Sequence, residues 1–354
     1  MLARIDLRSL GWILLSVAIA AAGGGLFAAL GWPAAWLMGA MVATAAAALA
    51  GLPVGLPGRL RDGAFLLLGI SMGSSLTPES IAAMRAWPGS IALLFASIAA
   101  TLLVSATYLE RFQGWDRTTA RFAAMPGAFS AVAAIAATST ADLPRVMLAQ
   151  SLRVFTLVAL MPPVLTMANG GLAQRAAAAV GAPAPHVNSL GEGLAVVAAS
   201  AAAAVALDRL RVPAGTLLGA MLASAALHAT GLVHGRFPQA LIVLGFIATG
   251  AVIGARFRGT TLGTIVRTVP GALASILLAL AVSAGFAAAG VWLLGLPFGQ
   301  LWLAYAPGGV EAMAAMALVL DLAPAFVGAH HILRILGLNL VAPFWLHRDR
   351  PPLP

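Results

Sequence analysis

Apolar runs of near-membrane length alternate with short polar breaks along the whole chain. They fall at about 10–30, 33–50, 63–77, 88–109, 121–140 and 145–168, and again at about 190–207, 212–231, 238–255, 270–294, 299–320 and 325–346. Most approach the roughly 20 residues that a helix needs to cross the hydrocarbon core. Each run is therefore predicted to be helical. Alanine stretches such as 201–204 lie inside these runs and read as helix filler, not as linkers.

The two sets of six repeat one pattern. Pro33-Ala34-Ala35-Trp36-Leu37-Met38-Gly39-Ala40-Met41 returns as Pro213-Ala214-Gly215-Thr216-Leu217-Leu218-Gly219-Ala220-Met221, and both copies close on a Gly-Leu pair, Gly51-Leu52 and Gly231-Leu232. Downstream, Gly69 and Gly73 match Gly250 and Gly254, Pro88-Gly89 matches Pro270-Gly271, and Pro126-Gly127 matches Pro307-Gly308. Arg153 then matches Arg334, and Pro162 matches Pro343. The chain reads as a first membrane repeat over 1–168, a connector over 169–188 carrying Pro183 and Pro185, and a second membrane repeat over 189–354. Duplicated apolar chains are a common plan for secondary transporters, whose halves build one site together. The pairs Gly39/Ala43, Gly219/Ala223, Gly69/Gly73 and Gly250/Gly254 have the small-xxx-small spacing that lets helices approach closely in lipid, and they carry no chemistry of their own.

Composition fixes the environment. Hydrophobic residues make up 61% of the 354 and charged residues 9%, with mean hydropathy +0.97. A soluble domain carries roughly 25% charged residues, so this chain is a polytopic membrane protein. The net charge of +9 arises from 20 arginines and no lysine, scattered singly or in twos and threes between apolar runs. No basic helix or dense basic stretch exists, so a nucleic-acid partner is not expected. The absence of cysteine excludes disulfides, iron–sulfur clusters and cysteine-based zinc sites. Arg4 and Arg8 before an apolar run resemble a signal peptide. A first span is the better reading, because the same pattern opens the second half at 190–207.

The arginines also orient the halves. In the first half they precede run one (Arg4, Arg8), follow run two (Arg59, Arg61) and follow run four (Arg111, Arg117, Arg121). In the second they follow its first run (Arg209, Arg211) and its third (Arg256, Arg258, Arg267), so the phase is reversed. Reversal requires an odd number of crossings per half. The fifth run of each half, interrupted by Pro126-Gly127 and by Pro307-Gly308-Gly309, is the one that enters and returns, since proline removes a helix hydrogen bond and glycine loosens the backbone. The expected fold is an all-α polytopic membrane protein of two inverted-topology repeats, each about five spans plus one broken or re-entrant segment. Both termini are then cytoplasmic. Fifteen arginines, including Arg145, Arg348 and Arg350, lie inside, and Arg85, Arg175 and Arg236 lie outside.

The remaining two, Arg153 and Arg334, fall within the last run of each half. Arg153 lies about 12 Å along a helix from Arg145, and burying a charge at such depth costs at least ~2.5 kcal/mol. Gln150 and His331 stand three residues before them on the same helical face, and His330 can share the face of Arg334. Arginine's planar fork suits carboxylate or phosphate groups. A substrate site for an anionic solute is therefore read at Arg153, Arg334, Gln150, His331, Ser130, Glu311, Pro126, Gly127, Pro307, Gly308 and Gly309. Glu311 follows the second break where Ser130 follows the first, and a helix N-terminus there would present backbone N–H groups to an anion. Two other readings stand beside it: a fixed pairing of the arginines with Glu311 or Asp321, and arginines snorkelling to the interface. Glu311 is also a candidate carrier of a coupling proton or sodium ion. Asp142 and Asp321 fit interface positions. His330-His331 makes no metal site, since adjacent helical residues diverge; His186, His228, His234 and His347 share no spacing with them, and no cofactor is implied.

With these residues, the chain resembles the duplicated AbrB-type integral membrane family of Gram-negative bacteria. The resemblance rests on the doubled block at 36–41 and 217–221, on Met125-Pro126-Gly127-Ala128 and Ala306-Pro307-Gly308-Gly309-Val310-Glu311-Ala312, and on His330-His331-Ile332-Leu333-Arg334. It covers about 10–346 and implies a multi-pass protein of the bacterial inner membrane. The family carries two labels, an ammonia monooxygenase and a regulator of gene expression. Oxidising ammonia would need copper or iron with several imidazole or carboxylate ligands, which this sequence does not offer, so no enzymatic activity is expected. No soluble DNA-binding domain fits the regulator label. A secondary transporter of a small anionic solute is expected, with the bilayer around it and a homo-oligomer compatible with it. A membrane-embedded regulator or sensor is the alternative.

Overall fold

In the computed structural model the described residues are 7–75, 87–126, 129–168, 190–235 and 237–346, and every regular element among them is helical. The connector at 169–188 lies outside them, as do Gly127, Arg4, Arg85, Arg175, Arg236, Arg348, Arg350, His186 and His347. The first half contains α1 (Leu7–Ala29), α2 (Ala35–Leu49), α3 (Gly58–Gly73), α4 (Trp87–Arg111), α5 (Arg117–Ala124), α6 (Phe129–Ala136) and α7 (Leu143–Ala168). The second contains α8 (Leu190–Arg209), α9 (Gly215–Ala229), α10 (Gln239–Gly254), α11 (Leu262–Leu294), α12 (Phe298–Tyr305), α13 (Val310–Val319) and α14 (Pro324–Leu346). Among the described residues six helices, α1, α4, α7, α8, α10 and α11, are long and apolar enough to cross a membrane.

The doubled sequence gives doubled element boundaries. α2 and α9 both start and end 180 residues apart, and α3 and α10, like α5 and α12, do so at 181. The repeated Gly-Leu pair has a local cause. Gly51 (φ 85°) and Gly231 (φ 69°) take the left-handed conformation just past α2 and α9. Leu52 N–H then bonds Ala47 C=O and Leu232 N–H bonds Leu227 C=O, each at 3.0–3.1 Å. This is the Schellman termination, which needs glycine at that place and an apolar residue after it.

One helix departs from its expected boundary. α11 begins at Leu262, upstream of Pro270, where the apolar run suggested a start. The Thr261 side chain accepts from Thr264 N–H and caps the helix there. Pro270 therefore lies inside α11 and costs one hydrogen bond without ending it.

The chain forms two compact units, each drawing on both sequence halves. The first holds α1–α3 and α8–α10, with residues 158–168 of α7 and 314–325. In it α2 packs on α1 and α10, α9 on α8 and α3, and α3 on α10. Glycines set the closeness. A Cβ at Gly69 would strike the Leu217 carbonyl and Ala220, and one at Gly250 would strike the Leu37 carbonyl and Ala40. Gly73 and Gly254 meet Met221 with Ser224, and Met41 with Thr44, in the same paired way. The small-residue pairs act in packing, as their spacing implies.

The second unit holds α4–α6, residues 143–157 of α7, α11, α12, the first turn of α13 and α14 from Phe326 onward. Its long helices α4 and α11 pack together, with α5 against α4 and α12 against α11. Trp302 on α12 donates its ring N–H to Leu280 C=O and to Ser283 Oγ on α11. Every described candidate site residue belongs to this unit.

Candidate functional site

The fifth run of each half is broken where proline predicts. α5 stops at Ala124 and α6 starts at Phe129; α12 stops at Tyr305 and α13 starts at Val310. Met125 and Ala306 adopt extended backbone at the two stops. A helix end leaves its last carbonyls without donors, and at membrane depth water cannot supply them. Pro126 removes the N–H that a continuous helix would offer to Phe122 C=O. Pro307 does the same to Leu303 C=O.

Side chains from α7 and α14 provide the missing donors. Gln150 Nε2 donates to Phe122 C=O at 2.7 Å and to Met125 C=O at 2.9 Å. His331 Nε2 donates to Leu303 C=O at 2.9 Å, which fixes the ring hydrogen on that nitrogen. Arg153 Nη1 donates to Met125 C=O at 3.0 Å and reaches Ala123 C=O at 3.5 Å, while its Nη2 donates to Gln150 Oε1 at 2.5 Å. Arg334 Nη1 donates to Ala306 C=O at 2.7 Å and its Nη2 to Gly308 C=O. Each arginine thus sits on the negative end of a half-helix dipole. Both are buried, Arg153 at 5% exposure and Arg334 at 1%.

These contacts decide between the readings of the two arginines. Neither reaches outward along the surface, so snorkelling is set aside. No ion pair joins Arg334 to Glu311 or to Asp321 among the described residues; Arg334 feels the Glu311 and Arg153 charges across a gap. The fixed carboxylate pairing expected for Arg334 is replaced by backbone carbonyls, because broken helices present partial negative charge close by. Asp321 is exposed in the turn before α14, and Asp142 caps α7 through Arg145 N–H and pairs with Arg145 at 3.7 Å. Both are end-of-helix residues, as their positions implied.

Glu311 lies in the first turn of α13, partly exposed, with Oε2 beside Gly309. An acid there complements the positive end of the helix. Ser130 holds the matching place in the first turn of α6. Pro126 and Pro307 are buried at the breaks, and Gly308 is packed so closely that a Cβ would meet the Met313 side chain.

His330 faces elsewhere. Its Nδ1 donates to Phe326 C=O at 2.9 Å, and its Nε2 accepts from Ser90 Oγ at 2.6 Å. Tyr305 donates to Ser90 C=O at 3.0 Å, and Trp87 packs edge-on to the His330 ring. The cluster ties α12 and α14 to the start of α4. Ser90, Tyr305 and Trp87 were not found from sequence. The repeat gave no signal for them, since Ala149 and Ala124 stand where His330 and Tyr305 would be matched. No three His, Asp or Glu residues gather into a metal-holding group among the described residues.

A cavity of about 20 Å³ opens beside the first break. Arg153, Ser105, Ser275 and Pro307 contribute to its wall, with Ala123 and Ala279 among its apolar lining. Residues from both halves thus meet around one void, which is large enough for one water-sized group.

Comparison with known proteins follows the same lines. The family described as transition state regulatory protein AbrB matches residues 36–348. A protein of Escherichia coli strain K12, named as a candidate regulator AbrB, is 29% identical over 319 residues, 90% of each chain. YhjN of Bacillus subtilis strain 168 is 27% identical over 352 residues, 93% of this chain and 91% of its own.

Proposed function

The chain belongs to the AbrB family, and within that family we propose that it is a secondary transporter of a small anionic solute in the bacterial inner membrane. One observation carries this reading: two proline-broken helices, from the two halves of a duplicated chain, have their open carbonyl ends held by buried arginines within one compact unit. Irregular backbone at membrane depth is tolerated only inside protein or around a water-filled cavity, and discontinuous helices are how many transporters build solute sites. The halves are inverted repeats with both termini cytoplasmic. Arg153 and Arg334 supply positive charge, Gln150 and His331 hold the breaks open, and Glu311 carries the coupling proton or sodium ion. No enzymatic step and no nucleic-acid contact belong to this reading, and the chain is compatible with a homo-oligomer.

The alternative is a membrane-embedded regulator, favoured by the family description and by the name of the Escherichia coli relative. Flux separates the two. Purified full-length protein in proteoliposomes, given labelled organic anions under an imposed proton or sodium gradient, accumulates at least one of them if it is a transporter. Absence of flux for every anion and cation tried, with protein shown to be folded, favours the regulator.

A further inference from the structure

We propose that the cavity at Arg153 is the anion subsite and that it takes a small aliphatic monocarboxylate; this rests on the transport reading above. The subsite is built from three kinds of wall. Arg153, at 5% exposure, presents a guanidinium, whose planar fork matches a carboxylate. Ser105 on α4 and Ser275 on α11, both buried, add hydroxyls beside it, and Ser105 Oγ also reaches Ser275 C=O at 3.5 Å. Alanines 123, 124, 149, 272 and 279 make most of the rest, with Leu109 and Ile276.

The charge of the wall selects the charge of the ligand. Arg153 is the single basic side chain in it, and no acidic residue lines it among the described residues. A monoanion finds one matching charge there. A dicarboxylate or doubly charged phosphate would bring a second charge into a low-dielectric void, where an unpaired charge costs several kcal/mol. The alanine wall selects the body. It offers apolar contact and no further donors, so a short hydrocarbon tail is accepted and a polar, hydroxyl-rich body is not. At about 20 Å³ the void holds only a water-sized group as it stands, so α4, α11 and α5 must separate slightly to admit an acid of two to four carbons. Glu311 and Arg334 belong to the other break and do not line this void. The two breaks therefore differ in task, with the anion held at the first.

Uptake of labelled propionate by the full chain in proteoliposomes tests this, with acetate, butyrate, succinate and phosphate as competitors. The expected result is propionate uptake inhibited by acetate and butyrate and untouched by succinate or phosphate. Ala279→Leu, which fills the void, is expected to lower uptake at least tenfold. Ser275→Ala, which removes a hydroxyl without adding bulk, is expected to raise KM severalfold at unchanged maximal rate, and it decides the matter if the leucine variant does not fold. Transport of succinate or phosphate in place of monocarboxylates overturns the substrate class while leaving transport standing. Wild-type propionate kinetics in both folded variants overturn the placement of the subsite. No flux of any solute overturns the transport reading itself.

Discussion

Gln150 and His331 stand 181 residues apart and hold carbonyls that are also 181 apart, Phe122 and Leu303. Each of those carbonyls lies four residues before a proline, Pro126 or Pro307, and so has lost its helical donor to that ring. An amide and an imidazole thus perform one task in the two halves. The arginines one helical turn later follow the same rule, with Arg153 on Met125 and Arg334 on Ala306.

The exchange of one donor for the other can be tested at position 331. His331 Nδ1 is buried with no hydrogen-bond partner among the described residues. Glutamine there would donate to Leu303 C=O and offer its oxygen toward Arg334, as Gln150 does toward Arg153. His331→Gln is therefore expected to match or exceed the wild-type melting temperature. His331→Leu leaves Leu303 C=O without a donor and should cost about 1–3 kcal/mol. Melting curves of the purified variants check both, and a leucine variant as stable as the glutamine one would show that the carbonyl needs no donor.

Glycine packing predicts opposite signs at two helix positions. Gly250 on α10 faces the Leu37 carbonyl and Ala40, so a methyl group there forces helices apart and Gly250→Ala should destabilise by about 1–3 kcal/mol. Gly285 on α11 has open space, with nothing within 4 Å, where a methyl group would stand, so Gly285→Ala should gain up to about 1 kcal/mol of helix propensity. Thermal melts in one detergent compare the pair. Equal effects would mean that the close approach of α10 and α2 does not matter.

What could be read from the sequence, and what could not, divides along the same line. The glycine pairs, the Gly-Leu terminations and the two proline breaks were legible because each is a local requirement repeated at a fixed offset. The depth of Arg153 and Arg334 was legible too. Their acceptors were not, because a backbone carbonyl orphaned by a proline has no letter of its own; Glu311 and Asp321 were the visible candidates, and neither pairs with Arg334. The knot of Ser90, Tyr305 and His330 was also hidden, since it joins residues 240 positions apart and exists in one half alone.

Inversion of the halves has a simple test in positions that the repeat makes equivalent. Leu30 follows α1 and Leu210 follows α8, 180 residues apart, and both are exposed. Inverted repeats place Leu30 outside and Leu210 beside the cytoplasmic arginines Arg209 and Arg211. Because the chain has no cysteine, Leu30→Cys and Leu210→Cys are the sole thiols in their variants. A membrane-impermeant maleimide added to intact cells should label the first and not the second. Labelling of both from one side would mean parallel repeats.

Arg334 and Glu311 separate an ion pair from a helix-end clamp. If the arginine served to neutralise Glu311, removing both charges would restore what removing one loses. The observed contacts run to Ala306 and Gly308 carbonyls instead. Arg334→Gln should therefore cost about 2 kcal/mol or more, since hydrogen bonds from a charged donor contribute roughly 1.5–3 kcal/mol each. Arg334→Lys should recover part of that loss, because an ammonium lacks the fork that spans two carbonyls. Glu311→Gln alone should leave the melting temperature near wild type, as no carboxylate bond to Arg334 is broken. The double variant Arg334→Gln with Glu311→Gln should then melt with the single arginine variant. Its return to wild-type stability would show that charge balance, not the clamp on α12, is what Arg334 supplies.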